Sequence, residues 1–177
     1  YGAFKHCSSL TILTLPASLT RIGHGAFIGC PSLTTLSLRA GLATIGTDAF
    51  ENCSSLTTLT LPDSLTEIGR SAFAGCSSLS TLTLPAGLTT IGNYAFIGCS
   101  SLTALTLPAS LTTIGTDAFE GCSSFTTLTI VSENAEPQVL TQQRPFSVSA
   151  VQQALRRRRR ADRDAAAAGR GRGRGRG

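Results

Sequence analysis

Phenylalanine recurs at Phe4, Phe27, Phe50, Phe73, Phe96 and Phe119, and cysteine at Cys7, Cys30, Cys53, Cys76, Cys99 and Cys122, each series stepping by 23 without an insertion. Ile22, Ile45, Ile68, Ile91 and Ile114 keep the same step, each followed by glycine at Gly23, Gly46, Gly69, Gly92 and Gly115. A unit this short cannot enclose its own apolar face, so copies must stack side by side and share one core. The unit reads C-S-S-L-T-T-L-T-L-P-x-S-L-T-x-I-G-x-x-A-F-x-G, with five complete copies from Cys7 to Gly121 and a fragment at each end.

Within one copy, Leu56, Leu59 and Leu61 follow the L-x-x-L-x-L spacing of a short strand that turns alternate side chains inward. Thr58 and Thr60 then face outward. Pro62 ends the strand for want of an N–H, and the stretch after it returns along the opposite side with Leu65 and Ile68 inward. Ala72, Phe73 and Cys76 suit one tight helical turn. These eight apolar positions predict a curved solenoid with a continuous parallel sheet on one face. The residue before cysteine is Gly29, Gly75, Gly98 and Gly121, with Asn52 and His6 as the exceptions. Glycine exchanged for asparagine marks a left-handed backbone position there.

The stretches Cys99 to Pro108 and Leu111 to Cys122 read C-S-S-L-T-x-L-x-L-P and L-T-x-I-G-x-x-A-F-x-G-C. They closely resemble the unit of the BspA-like leucine-rich repeats, a family of short-repeat surface-antigen domains, over residues 1 to about 131. That resemblance implies a right-handed leucine-rich-repeat solenoid of the β-rich α/β class. Its parallel sheet lies on the concave face, with short helical turns elsewhere. It also implies protein binding or adhesion and a cell-surface or secreted location.

Charge divides the chain. Residues 1–130 hold four Lys or Arg against six acids, a net of −2, whereas 131–177 hold eleven Arg against four acids, a net of +7. The basic character therefore says nothing about what the repeats bind. The repeat fails where Phe125 and Ile130 replace leucine and Val131 stands in place of proline. Residues 1–131 read as the repeat domain and 132–146, polar with Pro137 and Pro145, as an exposed connector. Residues 147–177 read as a basic low-complexity tail: a short helix from Ser147 carrying Val148, Val151 and Leu155 and running into the arginines, then an unfolded end. Nucleic acid could be engaged only through Arg156 to Arg160 and the Gly-Arg run 169–177, although no aromatic side chain interleaves with them to stack on bases. The apolar runs are far short of the roughly 20 residues of a membrane span. The sequence begins at Tyr1 without a methionine, so any signal peptide lies outside it.

Sequence motifs for catalysis or metal binding are not evident. A 23-residue cysteine step offers no ligand pair two to four residues apart, and stacked thiols with parallel Cβ vectors suit disulfide geometry poorly. The thiols read as a buried ladder, and neither metal nor cofactor is expected. His6 and His24 sit at different repeat positions and form no evident dyad. Gly23-His24-Gly25 departs from a phosphate-binding loop because the third glycine arrives one residue late, at Gly29. Asn52-Cys53-Ser54 fits a glycosylation sequon, but its asparagine is better explained as the turn residue. An enzyme is not expected.

One surface feature goes beyond scaffold. Thr35 and Ser37, Thr58 and Thr60, Thr81 and Thr83, Ala104 and Thr106, and Thr127 and Thr129 form two uncharged outward columns. They nominate Thr35, Ser37, Thr58, Thr60, Thr81, Thr83, Thr106, Thr127 and Thr129 as a binding face for a protein or glycan. Parallel Thr-x-Thr ranks also resemble an ice-binding face, but Ile12 and Ala104 interrupt one column and a concave sheet fits a flat lattice badly. Threonine also suits exposed strands by β-propensity alone.

Overall fold

In the computed structural model, residues 1–132, 137–141 and 148–172 are described, and the repeats are wound into coils of 23 residues. Each coil gives one strand to each of two sheets. On the first side lie β1 (Ile12–Thr14), β3 (Thr35–Ser37), β5 (Thr58–Thr60), β7 (Thr81–Thr83), β9 (Ala104–Leu107) and β11 (Thr127–Ile130). The return side carries two-residue strands, β2 (Arg21–Ile22), β4 (Thr44–Ile45), β6 (Glu67–Ile68), β8 (Thr90–Ile91) and β10 (Thr113–Ile114). All pairs are parallel and in 23-residue register, Leu59 facing Leu82 and Ile68 facing Ile91. The return side, read from sequence only as a path back, is a five-stranded sheet in its own right.

The predicted core is the observed core. Leu56, Leu59, Leu61, Leu65, Ile68, Ala72, Phe73 and Cys76 are all buried, and the equivalent residues of adjacent coils join one apolar cluster. Phenylalanine rings from Phe4 to Phe119 stack face to face, 5.1 to 5.4 Å between centroids and tilted by no more than 7°. Phe4 ends this stack and is 52% exposed.

Three features depart from the expectation. First, the sheet on the first side is interrupted. Hydrogen-bonded pairing joins β1 with β3, β5 with β7, and β9 with β11, leaving seams between β3 and β5 and between β7 and β9. Serine side chains link the same pairs of coils in the turns that follow these strands. Ser64 Oγ accepts from Gly41 N at 3.0 Å and donates to Leu42 O at 2.9 Å, while Ser110 Oγ donates to Leu88 O at 2.6 Å.

Second, the segment expected as a helical turn is a succession of tight turns with two left-handed residues per coil. The residue before cysteine has positive φ in all six cases, as predicted from glycine and asparagine: His6, Gly29, Asn52, Gly75, Gly98 and Gly121. So does the residue four positions earlier: Gly2, Gly25, Asp48, Ser71, Tyr94 and Asp117. This geometry points alternate N–H groups out of the coil. Asp48, Phe50 and Asn52 donate to the carbonyls of Arg70, Ala72 and Ala74 in the next coil, at 2.8, 2.8 and 2.7 Å. An α-helical turn would have spent those donors within itself.

Third, the chain beyond the repeats folds back onto the last coil. Within the stretch expected as a connector, β12 (Gln138–Thr141) pairs antiparallel with β11 and covers its edge. The helix expected to be short is α1 (Val148–Arg172), which runs through residues expected to be unfolded; Ser147 and residues 173–177 lie outside the described residues. Val151, Ala154 and Leu155 enter the core cluster. On the same stripe, three residues on, Arg158 is 7% exposed and donates to Pro108 O at 2.8 Å and Leu111 O at 2.7 Å. One arginine of the five-residue run is thus a latch onto carbonyls of the last coil.

Candidate functional site

The nominated residues all stand on the first side and fall into the two expected columns. Register aligns Thr35 with Ile12, Thr58 with Thr81 and Thr60 with Thr83, and Ala104 and Thr106 with Thr127 and Thr129. Thr35, Thr58, Thr60, Thr81, Thr83 and Thr106 are exposed; Ser37, Thr127 and Thr129 are half-buried. Thr127 and Thr129 lie beside β12, where Thr141 and Val139 extend the columns by one strand. Val139 and Ile12, 63% and 64% exposed, place an apolar residue at each end of the face.

Some outward hydroxyls in neighbouring columns are spent on coil-to-coil bonds, such as Thr34 to Thr11 O and Ser80 to Thr57 O, or Thr66, Thr89 and Thr112 to the carbonyls of Ala43, Thr66 and Thr89 on the return side, although Thr57 and Thr103 make none. Among the described residues, the hydroxyls of Thr58, Thr60, Thr81, Thr83 and Thr106 make no such bond and stay available as donor and acceptor. At the β7–β9 seam, where Ala104 takes the place of threonine, lies a depression of about 200 Å³ lined by Ser80, Thr81, Thr103, Ala104 and Thr106.

The thiol ladder is inward. Cys30, Cys53, Cys76, Cys99 and Cys122 are buried and unbridged, and each sulfur donates to the phenylalanine carbonyl 26 residues earlier, as Cys76 does to Phe50 O at 3.4 Å. Burial pushes the Cys53 and Cys122 thiols from an ordinary value of 9.0 up to about 12, and raises Cys30, Cys76 and Cys99 as well. A thiol shifted upward stays protonated in the folded chain where the unfolded chain has ionised. Its contribution is therefore intact below about pH 9 and lost as pH climbs toward 12, at about 1.4 kcal/mol per pH unit per thiol. Alkaline unfolding should fall in that window with a slope of several thiols. A thiol reagent at pH 8 should label Cys7 quickly and the other five only on unfolding; fast labelling of folded Cys53, Cys76 and Cys99 would contradict the ladder.

His24 has partners that its sequence neighbours did not reveal. One coil away on either side, Tyr1 OH lies 3.0 Å from Nε2, and Thr47 O and Asp48 lie 2.9 and 3.6 Å from Nδ1. Separations of 23 and 24 residues are adjacent in a 23-residue coil, so the repeat register was the available signal. The trio sits at the open surface and ties coil to coil. Among the described residues no cluster of His, Cys, Asp or Glu could hold a metal, and no helix is long and apolar enough to cross a membrane. Of the arginines nominated for nucleic acid, Arg158 is committed to the latch, and residues 173–177 lie outside the described structure.

Stacked 23-residue coils, a leucine ladder behind an outward sheet and a left-handed residue before each cysteine define a leucine-rich-repeat scaffold. The model of the BspA type leucine rich repeat region matches six copies over residues 1–136, and the chain belongs to that family. Among solved structures it is similar to a leucine-rich repeat protein from Bacteroides ovatus, with 36% identity, a TM-score of 0.68, and 71% of this chain and 33% of the other covered. A leucine rich repeat protein of T. pallidum shares 35% identity, with a TM-score of 0.66 and 67% and 58% covered. A leucine rich cell surface protein from Faecalibacterium prausnitzii shares 34%, with a TM-score of 0.54 and 71% and 40% covered. The chain spans about a third to just over half the length of these neighbours. A search of curated proteins finds no matching relative. Repeat proteins of this kind are interaction scaffolds.

Proposed function

We propose that the chain is a non-catalytic interaction or adhesion module, displayed at a cell surface, that presents the Thr-x-Thr face of β3 to β9 to a protein or glycan. The observation carrying this reading is the set of unspent hydroxyls at Thr58, Thr60, Thr81, Thr83 and Thr106, in columns without a charged residue. Such a face suits the hydroxyls of a sugar or the polar backbone of an extended peptide, since neutral groups that find hydrogen-bond partners cost far less to desolvate than charges. Binding through it should be modest per site and nearly independent of salt. The cell-surface placement leans on the Faecalibacterium neighbour, described as a cell surface protein. Ice binding has less support, because the seams and the depression at Ala104 break the regularity of the array.

The test is a panel of immobilised glycans and matrix proteins probed with the full chain. Thr81→Lys with Thr83→Lys should abolish whatever binding is found, whereas Thr89→Lys with Thr90→Lys on the return side should leave it intact. The opposite pattern would remove the first side as the binding face.

A further inference from the structure

The seating of α1 against the last coil creates a cleft of about 460 Å³ that the repeats alone do not have. Arg156, Arg158, Arg159, Asp162 and Arg163 line it from the helix, and Ala109 and Thr112 from the coil. A second, smaller cavity adjoins it and shares Thr112, Arg156 and Arg159. Spacings of three and four residues put Arg156, Arg159 and Arg163 on one helical flank. The same geometry turns Arg158 toward the core, while Arg160, four residues past Arg156, borders that flank and pairs with Asp164 at 4.0 Å.

Charge in the cleft is unbalanced. Asp162 is its one acid, and that carboxylate already accepts from Ser132 and faces Arg158 at 3.9 Å. Among the described residues, no ion pair reaches Arg156, Arg159 or Arg163. Arg159 Nη2 is shut off from water without a hydrogen-bond partner, which leaves a charged donor unsatisfied beside two like charges. An oxyanion entering the cleft would give that donor an acceptor and relieve the repulsion. Arginine forks match tetrahedral and planar oxyanions in two-point geometry.

We infer that this cleft is a binding site for a compact oxyanion, a phosphate or sulfate group carried by a small phosphorylated or sulfated molecule. Arg159 and Arg163 form its principal clamp, Arg156 its rim, and Arg158, whose Nη atoms donate to Pro108 O and Leu111 O, holds the helix in place at the wall of the cleft. The site is independent of the Thr-x-Thr face.

The full chain is titrated calorimetrically with inorganic phosphate and sulfate, then with glucose 6-phosphate and glucose 6-sulfate to distinguish the two sources. At least one of the four should bind saturably at one site. Arg159→Ala and Arg163→Ala should each weaken that binding about tenfold or more, while Arg157→Ala, on an exposed arginine away from the cleft, should change it less than about twofold. Circular dichroism shows whether the helix survives Arg159→Ala; if it does not, exposed Arg163 carries the test. Absence of saturable binding for all four ligands would overturn the site. So would equal weakening by Arg157→Ala, or a preference for oligouridine that all five arginines of the run support equally, either of which would mean diffuse charge rather than a cleft.

Discussion

Gly92→Ala should destabilise the chain by about 3 kcal/mol or more, at or above the upper end of the usual cost of overpacking. Gly92 follows the inward Ile91 and does not need positive φ. What it needs is space: an added Cβ would lie 2.6 Å from Arg70 N and 2.7 Å from Gly69 C. Both are backbone atoms of the preceding coil, and neither can rotate away as a side chain would. Gly69 meets the same obstacle from the coil before it. The methyl must therefore part the coils where Gly92 N donates to Ile68 O at 2.8 Å. Gly98→Ala is the control. Its Cβ would have nothing nearer than 3.8 Å, so only its left-handed φ of 73° is penalised, about 1 to 2 kcal/mol. Urea denaturation of both variants tests the distinction; equal costs would show that conformation, not coil contact, selects glycine after isoleucine.

Phe73→Ala should cost about 3 to 5 kcal/mol, because the ring is fully buried and its removal leaves a cavity with little freedom to collapse. Phe50 and Phe96 stack on its two faces at 5.3 and 5.4 Å, and each is held in turn by its own neighbour. Phe4→Ala removes the same atoms at the exposed end of the column and should cost a small fraction of that. The contrast matters more than either value. In a stack of equivalent coils, position along the axis alone separates the two residues, so similar losses would mean that the ring column is not the continuous core described here.

The repeat made the core legible because eight apolar positions per unit, repeated with no insertion, admit one register. It also made the turn before cysteine legible, through the exchange of Gly75 for Asn52 at equivalent positions. The second left-handed position was not readable: Ser71 and Tyr94 occupy it beside Gly25 and Asp48, and neither signals positive φ. The glycine after isoleucine was visible as a constant, but its cause is an approach between coils that one strand cannot show. The seams were missed in the same way, although serine and glycine alternate at Ser18, Gly41, Ser64, Gly87 and Ser110. A helix running into the arginines was legible, but its length and the burial of Arg158 were not, because five consecutive arginines look solvated throughout. A helix sends them in different directions, and Arg158 continues the Val151, Ala154 and Leu155 stripe into the core.

The columns of the first side were fully placed by alternation, but the availability of their hydroxyls was not. Thr34 and Ser80 spend their hydroxyls on the preceding coil, whereas Thr57, at the equivalent position, and Thr58 beside it do not. Alternation says which face a side chain takes, not whether its hydroxyl reaches a carbonyl of the adjacent coil.

The most direct measurement is chemical-shift mapping of the isotope-labelled full chain with any glycan or matrix protein that the binding panel identifies. The predicted perturbations cluster at residues 35–37, 58–60, 81–83 and 104–106, with the return-side strands unchanged. Perturbations centred on residues 66–68, 89–91 and 112–114, with the first side silent, would contradict the account.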